Sequence, residues 1–155
     1  MKARTGLLAL AATGLLGAAP AFADECDGRP TGVRLDVQVT NVRAAQGQVA
    51  VTIYPDDAKR FLAPKGKLAR QRVKASVPTT SACFYLPRAG TYAIAVYHDA
   101  NGDQDFNRDK VGRPTEGFGF SNDAPTRTGL PPFRAVRFPV REGDNRIAIQ
   151  MRYLK

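Results

Sequence analysis

The chain has 155 residues, 43% of them hydrophobic, with 23 Lys and Arg against 14 Asp and Glu and a formal charge of +9. That length suits one domain with a true core, a chain of this size burying roughly two-thirds of its unfolded surface. The basic residues are spread out rather than clustered, which argues against a nucleic-acid reader, and past residue 23 no apolar run is long enough to span a membrane.

Residues 1–23 read as a cleaved signal peptide. Lys2 and Arg4 form a short positive region, Leu7 to Leu16 an apolar run, and Ala21-Phe22-Ala23 the small-x-small site with the cut after Ala23. Cleavage lowers the charge from +9 to +7 and leaves 24–155 as a single domain, in the periplasm or secreted. Cys26 and Cys83 are the only cysteines and no Cys-x-x-Cys is present. In an exported chain the pair is expected as a structural disulfide.

Thr31 to Val42 alternates, with Val33, Leu35, Val37 and Val39 on one face, and reads as a half-buried strand. Gln48 to Tyr54 alternates again, with Val49, Val51 and Ile53 inward, and the two are expected to pair as a hairpin. Asp56 or Asp57 is placed to cap one helical turn through Phe61-Leu62. Leu68 to Val77 is the next strand, with Arg70, Arg72 and Lys74 on its polar face, followed by Cys83 to Leu86. Gly90 to His98 is apolar or small on both faces, which predicts a central strand. Phe133 to Val140 reads as a strand near an edge because of Pro139, and Arg146 to Tyr153 as the last strand. About seven short strands without helical periodicity predict an all-β fold, an antiparallel β-sandwich of the immunoglobulin-like or transthyretin-like kind with one long acidic loop.

That loop lies within His98 to Asn122, which holds four aspartates, three asparagines, one glutamate and four glycines. Asp99, Asn101, Asp103, Asp105, Asn107 and Asp109 place an oxygen-bearing side chain at every second position, and Glu116 follows. Hard cations such as Ca²⁺ take six to eight oxygens, supplied by the EF-hand loop at a similar spacing. Gln104 stands where that loop needs glycine and Lys110 where it needs a bidentate Glu, so this is no true EF-hand. Bound Ca²⁺ would relieve the repulsion of four carboxylates; the alternative is a solvated turn with local side-chain-to-backbone bonds.

His98 is the only histidine. It is either a structural imidazole at a strand end or, with Asp99 and Glu116, part of a metal-dependent hydrolase. No Gly-x-Ser-x-Gly, His-Glu-x-x-His or phosphate loop is present. In Gly117-Phe118-Gly119-Phe120-Ser121-Asn122 glycine alternates with phenylalanine. His98, Phe118, Phe120, Ser121 and Asn122 can be read as a ligand-contacting loop, or the rings as packing, which the cost of exposing two rings favours.

Two motifs carry a family resemblance. Leu86-Pro87-x-x-Gly90-x-Tyr92 resembles the corner that enters a strand in transthyretin-like sandwiches. His98-Asp99-x-Asn101, then Gly112-x-Pro114-x-Glu116-Gly117-Phe118-Gly119-Phe120-Ser121-Asn122, resembles the bacterial exported family called domain of unknown function 2141, with its HDxN…GxPxEGxGFSN core. The resemblance implies a small exported β-sandwich and no particular activity. The residues themselves point to a non-enzymatic binding or accessory domain of the cell envelope, its partner an envelope component or a polyanion.

Overall fold

The computed structural model describes residues 26–127 and 129–154; the signal sequence expected at 1–23 lies outside them. Eight strands are described: β1 (Val33–Thr40), β2 (Gln48–Pro55), β3 (Ala69–Lys74), β4 (Thr80–Tyr85), β5 (Gly90–Asp99), β6 (Phe118–Phe120), β7 (Phe138–Val140) and β8 (Gly143–Gln150). They form a three-stranded sheet ordered β4-β1-β8 and a five-stranded sheet ordered β3-β2-β5-β6, with β7 also on β5. The main core lies between the sheets. Val33, Leu35, Val37 and Val39 of β1 meet Val49, Val51 and Ile53 of β2 and Ile94 and Val96 of β5 there.

β1 and β2 do not form the expected hairpin. β1 pairs antiparallel with β4 and parallel with β8, while β2 pairs with β3 and β5. The burial patterns explain the separation. β1 alternates strictly between buried and half-buried residues, as an element covered on one side does. β2 buries six consecutive residues, as a strand covered on both sides does. The expected strand over Phe133 to Val140 is also shorter. Phe133–Val136 makes one helical turn after Pro132, and only Phe138–Val140 is strand. At Asp57 the chain turns without becoming a helix; the Asp57 carboxylate accepts the Lys59 N–H at 2.8 Å.

The central position expected for β5 is observed, since it pairs with β2, β6 and β7. Its outer face and that of β2 carry a second cluster: Ala50, Tyr54, Ala93, Tyr97, Phe118 and Phe120, with Phe61, Phe106 and Phe133 packed on it. Tyr92 makes the corner bond, donating its hydroxyl proton to the Arg88 carbonyl at 2.7 Å. Cys26 and Cys83 are joined, their Cα atoms 4.6 Å apart.

Candidate functional site: the loop after β5

β5 delivers His98 and Asp99 into the interior, where both are buried. Asp99 organises the first turn of the loop. Its Oδ1 accepts the Gly102 N–H at 2.7 Å and its Oδ2 the Gln104 N–H at 2.9 Å. The φ of +75° at Gly102 and +68° at Gln104 lets the chain double back over that carboxylate. Arg72 pins this turn to the sheet. Its guanidinium donates to the Tyr97 hydroxyl at 2.9 Å and to the Gln104 carbonyl at 2.8 Å, and lies 3.8 Å from Asp99 Oδ2. Arg72 and Tyr97 both sit opposite Ala50, whose small side chain lets them meet above it.

Asn101, Asp103 and Asn107 converge next. Asp103 Oδ2 accepts from the Asn101 amide at 2.8 Å and from the Asn107 amide at 2.9 Å, and the two amides are bonded to each other at 3.1 Å. Asp103 Oδ1 accepts the Asp105 N–H at 2.9 Å. These bonds to the charged form hold the Asp103 carboxyl below its ordinary range, the Asn107 amide first among them. The Asp105 side chain is exposed.

Asp109 belongs to a separate turn. It accepts the N–H groups of Val111 and Arg113 at 3.0 and 2.9 Å and pairs with the Arg113 guanidinium at 2.9 Å. These bonds, that of the Arg113 amide foremost, lower its pKa. The repulsion expected among the aspartates is thus largely answered by backbone N–H groups and by Arg72 and Arg113. Arg108 instead donates to the Gly112 carbonyl and lies over the Phe106 ring.

Glu116 closes the loop from beneath. It is only 9% exposed, and its Oε2 accepts the Asn107 N–H at 3.1 Å. Its Oε1 is buried and has no hydrogen-bond partner. Burial raises the Glu116 pKa; the amides of Asn107 and, from outside hydrogen-bonding geometry, Ala100 oppose the rise, and the nearby charges of Asp99 and Asp103 add to it. Among the described residues no group of three or more His, Cys, Asp or Glu side chains is arranged to hold a metal ion.

His98 takes no part in this constellation. Its Nε2 lies 2.8 Å from the Gln46 carbonyl, which can only accept, so Nε2 carries a proton. Its Nδ1 lies 2.9 Å from the Tyr153 hydroxyl. With 2% exposure and both nitrogens engaged, the imidazole has no free nitrogen for a substrate.

The Gly/Phe stretch is packed from both sides. Phe118 and Phe120 are buried on the outer face of the five-stranded sheet. A Cβ on Gly117 would strike the Tyr153 ring at 2.4 Å, and one on Gly119 the Gln150 carbonyl at 2.8 Å, so both glycines serve close approach to the end of β8. Ser121 Oγ accepts the Ile94 N–H at 2.9 Å and donates to the Val136 carbonyl at 2.5 Å. Asn122, at φ +60°, donates to the carbonyls of Ala135 and Arg137 at 3.1 and 2.8 Å. These two residues staple the helical turn Phe133–Val136 to the sheet. Arg72, Tyr97 and Tyr153 hold the site in place, a role the sequence assigns to none of them; Arg72 reads only as part of a strand's polar face, and the visible signal is that Arg72 and Tyr97 fall on like faces of strands flanking β2.

The model of the family described as "Uncharacterized protein conserved in bacteria (DUF2141)" matches residues 37–148. No curated protein and no solved structure matches the chain.

Proposed function

The chain belongs to the bacterial DUF2141 family, and on that footing we propose that it is an exported, non-enzymatic binding module of the cell envelope whose loop takes Ca²⁺. The reading rests on Glu116. A buried carboxylate oxygen without a hydrogen bond is unfavourable by about 1–3 kcal/mol, more when charged, and this one lies among other anionic groups. A divalent cation is the simplest partner for it. Asn101, Asp103 and Asn107 support the same reading, because their head groups lie 2.8–3.1 Å apart. Oxygens bound to one calcium at 2.3–2.6 Å stand about 3 Å from one another. Turning either amide through 180° exchanges nitrogen for oxygen, at Asn101 with loss of the bond its Oδ1 accepts from the Asp103 N–H at 3.2 Å. The ligand set is therefore Asn101, Asp103, Asn107 and Glu116, completed by backbone carbonyls and water. Asp99 shapes the turn, and Asp109 is committed to Arg113.

Open loops of this kind in extracellular modules bind calcium at about 10⁻⁴ to 10⁻³ M. At 10 mM Ca²⁺ mass action then adds roughly 1.4–2.7 kcal/mol of stability. Titration calorimetry on EDTA-treated protein, with melting curves in parallel, should give one-site heat and a rise in Tm, both lost in Asp103→Ala. Absence of heat and of any Tm shift at millimolar Ca²⁺ would leave a loop held by its own amides alone.

A further inference from the structure

A cleft lies over the outer face of the five-stranded sheet, and it originates in a row of short side chains. The register sets Arg70, Thr52, Ala95 and Phe120 side by side across β3, β2, β5 and β6. Thr52 and Ala95 keep the floor low between the guanidinium at one end and the ring at the other. Above this floor the fold leaves a cavity of about 560 Å³, within the range of small-molecule sites. Phe106, Val111 and Pro114 of the acidic loop form one wall, and Leu62, Leu130 and Leu154 also line it.

Two features of the lining go beyond shape. Six large hydrophobic side chains are exposed among the described residues, and four of them, Leu62, Val111, Leu130 and Leu154, border this cleft. Apolar side chains left in water and gathered at one place mark contact with an apolar partner. The charged residues of the lining are Arg70, Arg108 and Arg113, with no carboxylate among them. Arg113 is paired with Asp109. Arg70 is held by its Nε on Thr52 Oγ1 at 2.8 Å and also meets the Tyr54 hydroxyl, and Arg108 is held by one Nη on the Gly112 carbonyl at 3.0 Å. Among the described residues neither Arg70 nor Arg108 is paired with a carboxylate.

We infer that the cleft binds a single-chain fatty carboxylate, its chain on the Thr52–Ala95 floor and its head group at Arg70 and Arg108. A planar guanidinium with free N–H groups beside an apolar wall matches a carboxylate in charge and in fork geometry. At roughly 30 Å³ for each water-sized unit, a cavity of about 560 Å³ holds roughly 18 such units, room for one chain of a dozen or more carbons with its carboxylate and too little for a two-chain lipid. The inference deepens the reading of a binding module by naming the ligand class, and it does not require the loop cation.

The test is calorimetric titration with sodium dodecanoate below its micellar concentration, with dodecanol and acetate as comparisons. One dodecanoate should bind per chain, about tenfold or more tighter than dodecanol, with no heat from acetate. Arg70→Gln combined with Arg108→Gln should weaken dodecanoate binding by about tenfold or more. Val111→Asp, at a side chain 74% exposed and so without cost to the fold, should weaken it comparably. No dodecanoate binding, equal binding of dodecanol, or undiminished binding to Val111→Asp overturns the inference. Repeating the titration in EDTA separates the two readings. Dodecanoate heat without calcium heat upholds the cleft and removes the cation, and the converse upholds the cation and removes the cleft.

Discussion

Burial makes the charged form of Glu116 costly and raises its carboxyl above the ordinary value. A carboxyl with a folded pKa above its unfolded value binds its proton more tightly in the folded state. Its contribution to stability is therefore fully present below about pH 4.3 and is lost as pH rises through the folded value. Asp103 and Asp109 are lowered and act in the opposite sense, stabilising above their unfolded pKa and losing that contribution as pH falls through lower values. Glu116 thus governs the window above pH 4.3. In EDTA, Glu116→Gln keeps an acceptor for the Asn107 N–H and places a donor amide near Asp99 and Asp103. It is expected to be more stable than the parent by about 1 kcal/mol at pH 7, with the difference shrinking toward pH 4. Urea unfolding at several pH values measures this, and a less stable variant at pH 7 would contradict it. The same substitution should abolish the calcium shift. The sequence displayed the spacing of the oxygen side chains but not their partners. Those partners are mostly backbone N–H groups of the loop itself, and Arg72 arrives from a strand about thirty residues earlier.

At the scale of the element, alternation located most strands, though the last runs Gly143–Gln150 and not Arg146 to Tyr153 because its pairing with β1 begins at Gly143, and it said little about which strands pair. The clean period in Val33 to Val39 and the double-sided burial of Gly90 to His98 both appear as read. The supposed hairpin failed because the link from Asn41 to Gly47 crosses between sheets; Val42 N–H bonds to the Pro78 carbonyl instead of to β2. Phe133–Val136 read as strand from its composition, yet its carbonyls at Ala135 and Val136 are taken by Asn122 and Ser121. No local pattern announces a partner more than ten residues away. Ser121→Ala tests this account of the motif. The substitution leaves the buried Ile94 N–H and the Val136 carbonyl without that hydroxyl. A loss of about 1–3 kcal/mol in urea unfolding is expected, with calcium heat retained. Unchanged stability together with lost ligand binding would instead mark Ser121 as a contact residue.

For the whole molecule, the disulfide and the strand order act together. Cys26 and Cys83 stand 57 positions apart, and the bridge fastens the segment before β1 to β4. Closing a loop of that length removes about 4 kcal/mol of unfolded-state freedom in the chain-entropy account. The Cys26→Ser, Cys83→Ser double variant should lose 2–4 kcal/mol by chemical denaturation while keeping its far-ultraviolet spectrum. A loss under about 0.5 kcal/mol would mean the reduced chain is already held there by the Asp27–Phe84 bridge.

The side-by-side parallel alignment of β1 and β8 has a consequence for timing. It joins residues 33–40 to 143–150, partners 110 positions apart in sequence (Val33 to Gly143). A polypeptide made amino end first therefore cannot complete its smaller sheet until residues 143–150 have been added. Closure at so great a separation is slow, so the smaller sheet is expected to be the later of the two to close.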